Sequence, residues 1–247
     1  MVINIVFAVA VGLVITQAAM FATTVYLHRG ITHRALTVHP SLAWLCRFFL
    51  WITTGMRPRE WAAVHRRHHA ATDTPDDPHS PVQAGFWRVQ LTNAAMYRRV
   101  ARDGVTVDKY ARDIPADRFD RFMFNHAWLG LGIGITMLIL LFGPWLGLLA
   151  AVVHAVGYLG LSGAVNAVGH TRGRRPYENS ATNGTILALV TFGEGLHNNH
   201  HDRPTSARFS RRWSQVDLAW WGIRILTWTR LVRLRVATSG RAPATSP

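Results

Sequence analysis

Two long runs without a charged residue constrain this fold more than any other feature. Neither Met1–Leu27 nor Ala127–Gly169 contains Lys, Arg, Asp or Glu. A membrane helix needs about 20 apolar residues, so the first run fits one span and the second fits two, divided by the turn signal Gly143-Pro144. A cleaved signal peptide is the alternative for the first run, but that run lacks a basic start and is long for a signal. Three spans are therefore predicted, over residues 2–27, 127–142 and 146–166.

The distribution of positive charge predicts the topology. All 27 basic residues, 26 of them arginine, fall within 28–126 and 170–247. Because cytoplasmic loops are enriched in Lys and Arg, both stretches are expected on the cytoplasmic side. This explanation of the charge sets nucleic-acid binding aside. The preference for arginine over lysine is typical of a high-GC bacterial genome, and we expect a protein of the bacterial plasma membrane with its functional site on the cytoplasmic side.

Residues 41–56 are apolar, but they are short and contain Arg47. If they crossed the membrane, the basic segments on either side would lie on opposite faces, so an interfacial helix is predicted. A second interfacial helix is expected from Trp213 to residue 235. The single cysteine, Cys46, excludes an internal disulfide. We predict a single membrane domain over 1–238, with cytosolic regions at 57–126 and 170–238, and a disordered tail at 239–247.

Nine of the 13 histidines fall in four short clusters. Two clusters follow the pattern His-x-x-His-His, whose members share one face of a helix. A third pairs Asn166 with His170 at the end of the last predicted span. The first cluster has histidines five residues apart, which a break at Gly30 would turn inward. The clusters are HRGITH (His28, His33), HRRHH (His65, His68, His69), NAVGH (Asn166, His170) and HNNHH (His197, His200, His201).

So many imidazoles exceed the needs of one ion but suit two ions with five or six ligands each. Imidazole suits Zn, Cu, Fe and Ni, and redox-inert zinc does not need so many ligands. A dinuclear iron site is therefore predicted, with zinc as a misloaded metal. All four clusters fall on the cytoplasmic side under the three-span topology. The fold predicted is an all-α integral membrane protein whose spans and interfacial helices lie under a cytosolic helical cap that holds the dinuclear site.

The order and spacing of these motifs resemble those of the membrane fatty acyl desaturases. HRGITHR, HRRHH and GEGLHNNHH are similar to the three histidine boxes of that family, and NAVGH is similar to the Asn-x-x-x-His element of its acyl-CoA branch. The segments TPDDPHSP and PTSAR extend the likeness. The resemblance implies O2 as co-substrate and nine histidine ligands, with Asn166 meeting a metal directly or through water. It also implies an acyl substrate and a separate electron donor of the ferredoxin, rubredoxin or cytochrome b5 type.

The sequence departs from that family in three places. Animal enzymes of this branch have another span before the first box, so we expect a tunnel that is less enclosed or is closed by another subunit. Leu196 occupies a usually aromatic position. Ala62-Ala63-Val64 lacks an arginine that could hold a CoA phosphate, which leaves CoA, acyl carrier protein and an intact lipid open as carriers.

Three further groups of site residues are expected around the metals. Carboxylates bonded to the ligand imidazoles are the usual second layer of a metal site, and the candidates are Asp73, Asp77, Glu194 and Asp202. The resemblance implies that the substrate tunnel ends three to four turns before His28, at Gly12 and Thr16. The candidates for docking an anionic acyl carrier are Arg98, Arg99, Arg102, Arg172, Arg174 and Arg175.

The function predicted is O2-dependent, Δ9-like desaturation of a long acyl chain with formation of a cis double bond. A hydroxylase or acetylenase on the same di-iron core is the alternative, because a small shift of the substrate decides the product. A metal transporter is a rival from a different class. Transporters place ligands near the bilayer midplane, whereas the predicted spans contain no acid and, outside the clusters, only His154.

Overall fold

The computed structural model describes residues 2–235, and the predicted tail 239–247 lies outside them. The described chain is mainly helical. Its helices, in chain order, are α1 (Val2–Ala22), α2 (Pro40–Thr54), α3 (Pro58–Ala70), α4 (Pro81–Ala84), α5 (Phe86–Ala101), α6 (Gly104–Tyr110), α7 (Ala127–Phe142), α8 (Pro144–Ala167), α9 (Thr185–Val190), α10 (His197–Asp202) and α11 (Leu218–Trp228). Two segments are π-helical, Thr23–Thr32 and Asp120–Phe124.

Two helices are long and apolar enough to cross a membrane. The first runs unbroken from Val2 to Thr32, because α1 continues into the first π-helical segment, and the second is α8. The helix α7 has 16 residues and is shorter than a typical span of about 20. The structure therefore supports two of the three predicted crossings by length and composition, and the third stays a prediction.

The long apolar helices pack tightly. α7 and α8 form the predicted hairpin, and its turn lies at Gly143, whose φ of +79° suits glycine. α1 packs along α8, and the two helices approach closely at Gly12, where a Cβ would lie 2.6 Å from the carbonyl oxygen of Ala150. The small residue at Gly12 thus serves helix packing.

α2 has 15 residues and covers about 22 Å, and its interfacial position stays a prediction. It packs on α7 and α1. Arg47 on this helix pairs with Asp117 and Asp120 in the segment that leads into α7. The expected interfacial helix over 213–235 is shorter than predicted: α11 ends at Trp228, and a strand follows.

That strand, β2 (Val232–Leu234), pairs antiparallel with β1 (Leu36–Val38), in the register Leu36 to Leu234 and Val38 to Val232. The two-stranded sheet lies directly after the first histidine box. A buried apolar cluster that includes Val25, Ala219 and Ile223 lies beside it. The C-terminal part of the described chain is thereby fastened to the segment that carries His28 and His33.

Candidate metal centre

The nine predicted histidines converge in two adjacent groups. Within each group, one nitrogen of every imidazole lies within 4.8 Å of the others. The five-histidine cluster contains His28, His33, His65, His69 and His200, and the four-histidine cluster contains His68, His170, His197 and His201. The structure thus brings together residues from four separate segments of the chain.

The two His-x-x-His-His motifs contribute to the clusters in opposite ways. On α3, His65 and His69 join the five-histidine cluster, while His68 joins the other. On α10 the assignment is reversed, because the i and i+4 residues join the four-histidine cluster and His200 joins the five-histidine cluster. Each helix therefore spans both clusters, and its one face of three histidines serves two sites.

The first box reaches its geometry through π-helical winding. The segment Thr23–Thr32 is a π-helix, and the backbone N–H of His33 donates to the carbonyl of His28 at 3.0 Å. An i→i+5 bond widens the turn, so residues five apart lie on the same side, and the two rings are 4.9 Å apart. A break at Gly30 was expected to turn both histidines inward; the helix instead continues unbroken through Gly30.

His170 and Asn166 lie at the end of α8. The helix ends at Ala167, so His170 belongs to the following turn rather than to a continued helix face. Its Nδ1 contacts a carboxylate oxygen of Asp73 at 2.9 Å. Its Nε2 is buried and has no hydrogen-bond partner among the described residues. The side-chain amide of Asn166 donates to Asn93 at 3.2 Å.

Three of the four predicted carboxylates bond a histidine of the clusters. Asp73 bonds His170, Asp77 bonds His68 at 2.9 Å and Glu194 bonds His28 at 2.7 Å, in each case through Nδ1. Such a bond fixes the ring and leaves Nε2 for a metal. Asp202 departs from the expectation. It is exposed at the end of α10 and lies 3.6 Å from Nε of Arg203 instead.

The carboxylates are held in their charged form. Burial opposes the ionisation of Asp77 and Glu194, but the hydrogen bond from His68 and the charge of His28 outweigh it and lower the pKa of each carboxyl. The pKa of Asp73 is lowered in the same way by its bond with His170. These carboxylates can therefore accept a hydrogen bond from imidazole at neutral pH.

Two asparagines of the third box, which the histidine pattern alone did not single out, anchor α10. Asn198 is fully buried and donates to the carbonyl oxygen of Tyr177, whose N–H donates back to it. Asn199 donates to the carbonyl of Phe209 at 2.8 Å and accepts from Asn183 at 2.7 Å. The pair Asn198-Asn199 between the histidines of HNNHH was the available signal. One face of the short helix carries ligands and the other fastens it to two loops.

The donor set fits two metal ions. Nε2 atoms of the five-histidine cluster approach one another at 2.9 to 3.1 Å. Two nitrogens that bind one ion at about 2.1 Å and at a right angle are about 3.0 Å apart. In the four-histidine cluster, Nε2 of His201 lies 3.2 Å from Nε2 of His197 and 3.3 Å from Nε2 of His68.

The protonation state of the histidines also favours metal binding, because their environment keeps the imidazoles neutral. Burial and the charges of neighbouring imidazoles lower the pKa of His65, His197 and His200 well below the ordinary value. Neutral imidazole is the form that binds metal. The clusters contain only nitrogen donors, which suit ions such as Fe and Zn.

A cavity of about 960 Å³ adjoins the metal centre. Its wall includes His28 and His65 of the five-histidine cluster, together with Asn166 and Glu194. Most of the wall is apolar or aromatic and comes from α1, α2, α5, α7 and α8; representative residues are Met20, Tyr97, Leu131, Ala155, Tyr158 and Leu159. A pocket of this volume and lining suits a ligand that is largely apolar.

The predicted tunnel residues do not line this cavity. Gly12 faces the backbone of α8, and Thr16 Oγ1 donates to the carbonyl of Gly12 and contacts Nδ1 of His154 at 3.2 Å. The cavity is bounded on that helix by Met20 and Thr23, which lie nearer to His28. Gly12 and Thr16 therefore lie on the helix that borders the cavity, but outside its lining, and their role in a substrate tunnel stays a prediction.

The six arginines proposed for carrier docking separate into two groups. Arg98 and Arg102 line the cavity, and Arg57 joins them there. The other four do not. Arg172 stacks over Phe86 at 4.7 Å, and Arg175 donates to the carbonyls of Ser180 and His170. Arg99 and Arg174 are exposed.

His79 is a tenth histidine close to the metal centre. It is only 6% exposed, lines the cavity, and its ring lies 4.9 Å from that of His68. Neither ring nitrogen has a hydrogen-bond partner among the described residues. Burial and the charge of His68 lower its pKa to about 3.

Comparison with known proteins identifies the family. The fatty acid desaturase family model matches residues 4–227, and the chain belongs to this membrane-associated family of oxidoreductases. It is 32% identical to an acyl-CoA C20 Delta5-desaturase of Anemone leveillei, over 91% of this chain and 70% of the relative. It is 31% identical to an sn-1 stearoyl-lipid 9-desaturase of Synechocystis, over 83% and 64%. A Delta-9 desaturase-like 2 protein of Arabidopsis thaliana is 30% identical, over 85% and 70%.

Proposed function

We propose that this chain is an O2-dependent fatty acyl desaturase that inserts a cis Δ9 double bond into a long acyl chain, with two iron ions as its cofactor. The observation that carries the proposal is the meeting of the histidine centre with the apolar cavity, because His28 and His65 belong to both. Two of the relatives compared above are named as 9-desaturases or 9-desaturase-like proteins, which supports Δ9 over other positions.

Desaturation removes two hydrogen atoms from the acyl chain. Two C–H bonds on adjacent methylenes break and one C=C bond forms, while O2 is reduced to two waters. The balance requires two electrons and two protons from outside the substrate. When bound, iron would supply the activation of O2 that an unreactive methylene C–H bond requires. The nine histidines of the two clusters would hold the ions, and Asn166 would meet one of them directly or through water.

The rest of the site positions the substrate and the ligands. The apolar wall would hold the acyl chain and exclude water from the reacting carbons. Arg98, Arg102 and Arg57 would attract an anionic carrier, whether CoA, acyl carrier protein or a lipid headgroup. Glu194 orients the ring of His28 through Nδ1. Trp61 stacks on His65 with ring centroids 5.0 Å apart and an interplanar angle of 10°, which restricts the imidazole on its cavity side.

We place the enzyme in a bacterial plasma membrane with the metal centre on the cytoplasmic side. The support is the restriction of all basic residues to 28–126 and 170–247. This side is where a soluble electron donor would reach it. A ferredoxin, a rubredoxin or a cytochrome b5-type protein would serve.

The first experiment counts metals in the detergent-purified protein by mass spectrometry, for the wild type and for His200→Ala. About two ions per chain, reduced in the variant, would support the dinuclear site. Zinc in place of iron would still support it, since overexpression loads whichever metal is available. At most one ion, unaffected by the substitution, would refute the di-iron proposal and favour a transporter.

Product analysis then tests the reaction. The wild type is supplied with a long-chain acyl substrate, O2 and a reductant, and the products are identified by mass spectrometry after derivatisation of the double bond. A cis alkene at carbon 9 is the expected product. An alcohol or an alkyne would reassign the chain to the hydroxylases or acetylenases, and an alkene at carbon 5 would correct the position.

A further inference from the structure

The metal centre has a buried side and a partly exposed side. Six of the nine clustered histidines are buried, and two of these, His28 and His65, line the cavity. Three are partly exposed: His33, His69 and His201. The exposed ligands are thus different residues from those that face the cavity.

The three partly exposed rings form one continuous edge. His33 lies 4.6 Å from His69 between ring centroids, and His69 stacks on His201 at 4.2 Å with an interplanar angle of 17°. His69 belongs to the five-histidine cluster and His201 to the four-histidine cluster. A molecule that contacts this edge therefore lies next to ligands of both proposed ions.

The surroundings of the edge are basic. Arg34 directly follows His33 and Arg203 lies two residues after His201, and both are exposed. Arg208 is exposed and Arg211 is half-buried on the loop that follows α10. Burial lowers the pKa of Arg211, and the positive charges of Arg203 and Arg208 lower it further.

Acidic groups offset only part of this charge. Asp113 pairs with Arg34 and also with Arg66, and Asp202 lies beside Arg203. Two aspartates thus stand against five arginines (Arg34, Arg66, Arg203, Arg208 and Arg211), and the edge keeps an excess of positive charge.

The loop that carries these arginines also contacts the metal centre. Phe209, between Arg208 and Ser210, is buried and its ring lies 4.6 Å from that of His200. The guanidinium of Arg29 lies over the ring of Phe209, 3.8 Å from its centroid, and pairs with the buried Asp217. The basic loop is therefore packed against His200, a residue of the five-histidine cluster.

We propose that this basic edge, formed by His33, His69 and His201 with Arg34, Arg203, Arg208 and Arg211, is the docking surface for a small acidic electron-transfer protein. The inference rests on the proposed function, because desaturation needs two electrons from outside and the acyl chain would occupy the cavity side. Positive surface charge speeds and orients the encounter with an acidic partner. Electrons delivered at this edge reach ligands of both clusters.

A binding measurement tests the docking surface without relying on turnover. The probe is an acidic plant-type [2Fe–2S] ferredoxin, titrated into the metal-containing enzyme in detergent and followed by calorimetry at low salt. The double variant Arg203→Glu/Arg208→Glu should weaken binding by about tenfold or more, and added salt should weaken wild-type binding. Arg224→Glu, an exposed arginine on α11, is the matched control and should bind as the wild type does.

Absence of ferredoxin binding by the wild type, or equal affinity in the double variant, would overturn the docking surface. The charge-neutral variant Arg203→Gln/Arg208→Gln guards against misfolding: it should weaken binding by less than the charge reversal does, and its metal content should match that of the wild type. Loss of binding in Arg224→Glu as well would show that net charge, rather than this edge, governs the contact.

A single-turnover assay separates this proposal from the proposed function. Enzyme reduced chemically in the absence of O2 and then mixed with O2 and acyl substrate needs no donor protein. Both proposals are supported if the chemically reduced wild type and double variant form equal product, while ferredoxin-driven turnover is slower only in the double variant. Product from both proteins in both assays would overturn the docking surface alone. No desaturated product from the wild type would overturn the proposed function and the docking inference with it.

Discussion

The imidazole rings of His69 and His201 stack 4.2 Å apart although they belong to different clusters. They come from α3 and α10, the two helices that carry the His-x-x-His-His motif. The stacking joins the proposed metal sites through their ligands. It follows from the reversed assignment of the two motifs, in which the middle histidine of each helix crosses to the other cluster.

This assignment predicts separable metal sites. His200→Ala should mainly empty the five-histidine site and His68→Ala the four-histidine site, so each variant should retain about one ion per chain. Metal counting by mass spectrometry measures the loss, and X-ray absorption of the remaining ion shows how many nitrogens surround it. His39→Gln, at an exposed histidine outside both clusters, should retain the wild-type content. Complete loss of metal in both single variants would mean that the sites cannot fill separately.

The carboxylate bonded to His68 should tune metal affinity. Asp77→Asn keeps the size of the side chain but removes the charge that orients Nδ1, and such changes cost about 10- to 100-fold in affinity. Competition with a chelator measures the change. The neighbouring exposed Asp76 offers a matched control, and Asp76→Asn should behave as the wild type. Equal chelator resistance in the two variants would contradict a role for Asp77.

Chain length should respond to the cavity wall rather than to Gly12. Ala155 lines the cavity, so Ala155→Phe should fill part of it and shift the products towards shorter chains. The next residue, Val156, is 69% exposed, and Val156→Phe should leave the chain-length distribution unchanged. Gas chromatography measures the chain-length distribution of the products of both variants.

Gly12→Tyr, at a predicted tunnel residue, should lower the yield of folded protein rather than shorten the accepted chains. The cause would be the clash with Ala150. A folded Gly12→Tyr enzyme with shortened products would instead support the predicted tunnel end at Gly12.

Stability should depend strongly on the buried Arg29–Asp217 pair. Both side chains are almost fully buried and 2.9 Å apart. Removing one partner leaves an uncompensated charge and costs about 3–5 kcal/mol. Asp217→Ala should therefore lower the thermal midpoint followed by tryptophan fluorescence far more than Asp108→Ala does. Asp108 pairs with Arg59 at an exposed position, where such pairs contribute about 1 kcal/mol or less. Similar midpoints for the two variants would show that Arg29 finds another partner.

The sequence was most informative where a short motif fixes its own geometry. Histidines at i, i+3 and i+4 share a helix face whatever the helix packs against, so the His-x-x-His-His residues could be identified as a set. Their division between two clusters depends on how α3 and α10 cross, and nothing within either motif encodes that. The same limit applies to Asp202, which follows His201 in sequence but lies on another face.

The sequence was least informative where packing selects a face. Gly12 and Thr16 lie on the helix that leads to His28, yet contact with α8 turns them away from the cavity. The mainly apolar helices α1, α7 and α8 show little hydrophobic periodicity, so their buried faces could not be assigned from pattern. His79 was recognisable as a histidine near a box, but its burial depends on the fold of residues 71–81 over α3.

The π-helical segment Thr23–Thr32 has a consequence for how this protein can vary. His28 and His33 meet because five residues complete one widened turn, so the count of residues between them sets where His33 points. Each residue advances an ordinary helix by about 100°, and a single deletion would therefore carry His33 away from the clusters while leaving every other ligand unchanged. Exchanges of residue type within the segment make no such rotation. We expect its length to be inherited without insertions or deletions, even where the residues between the two histidines differ.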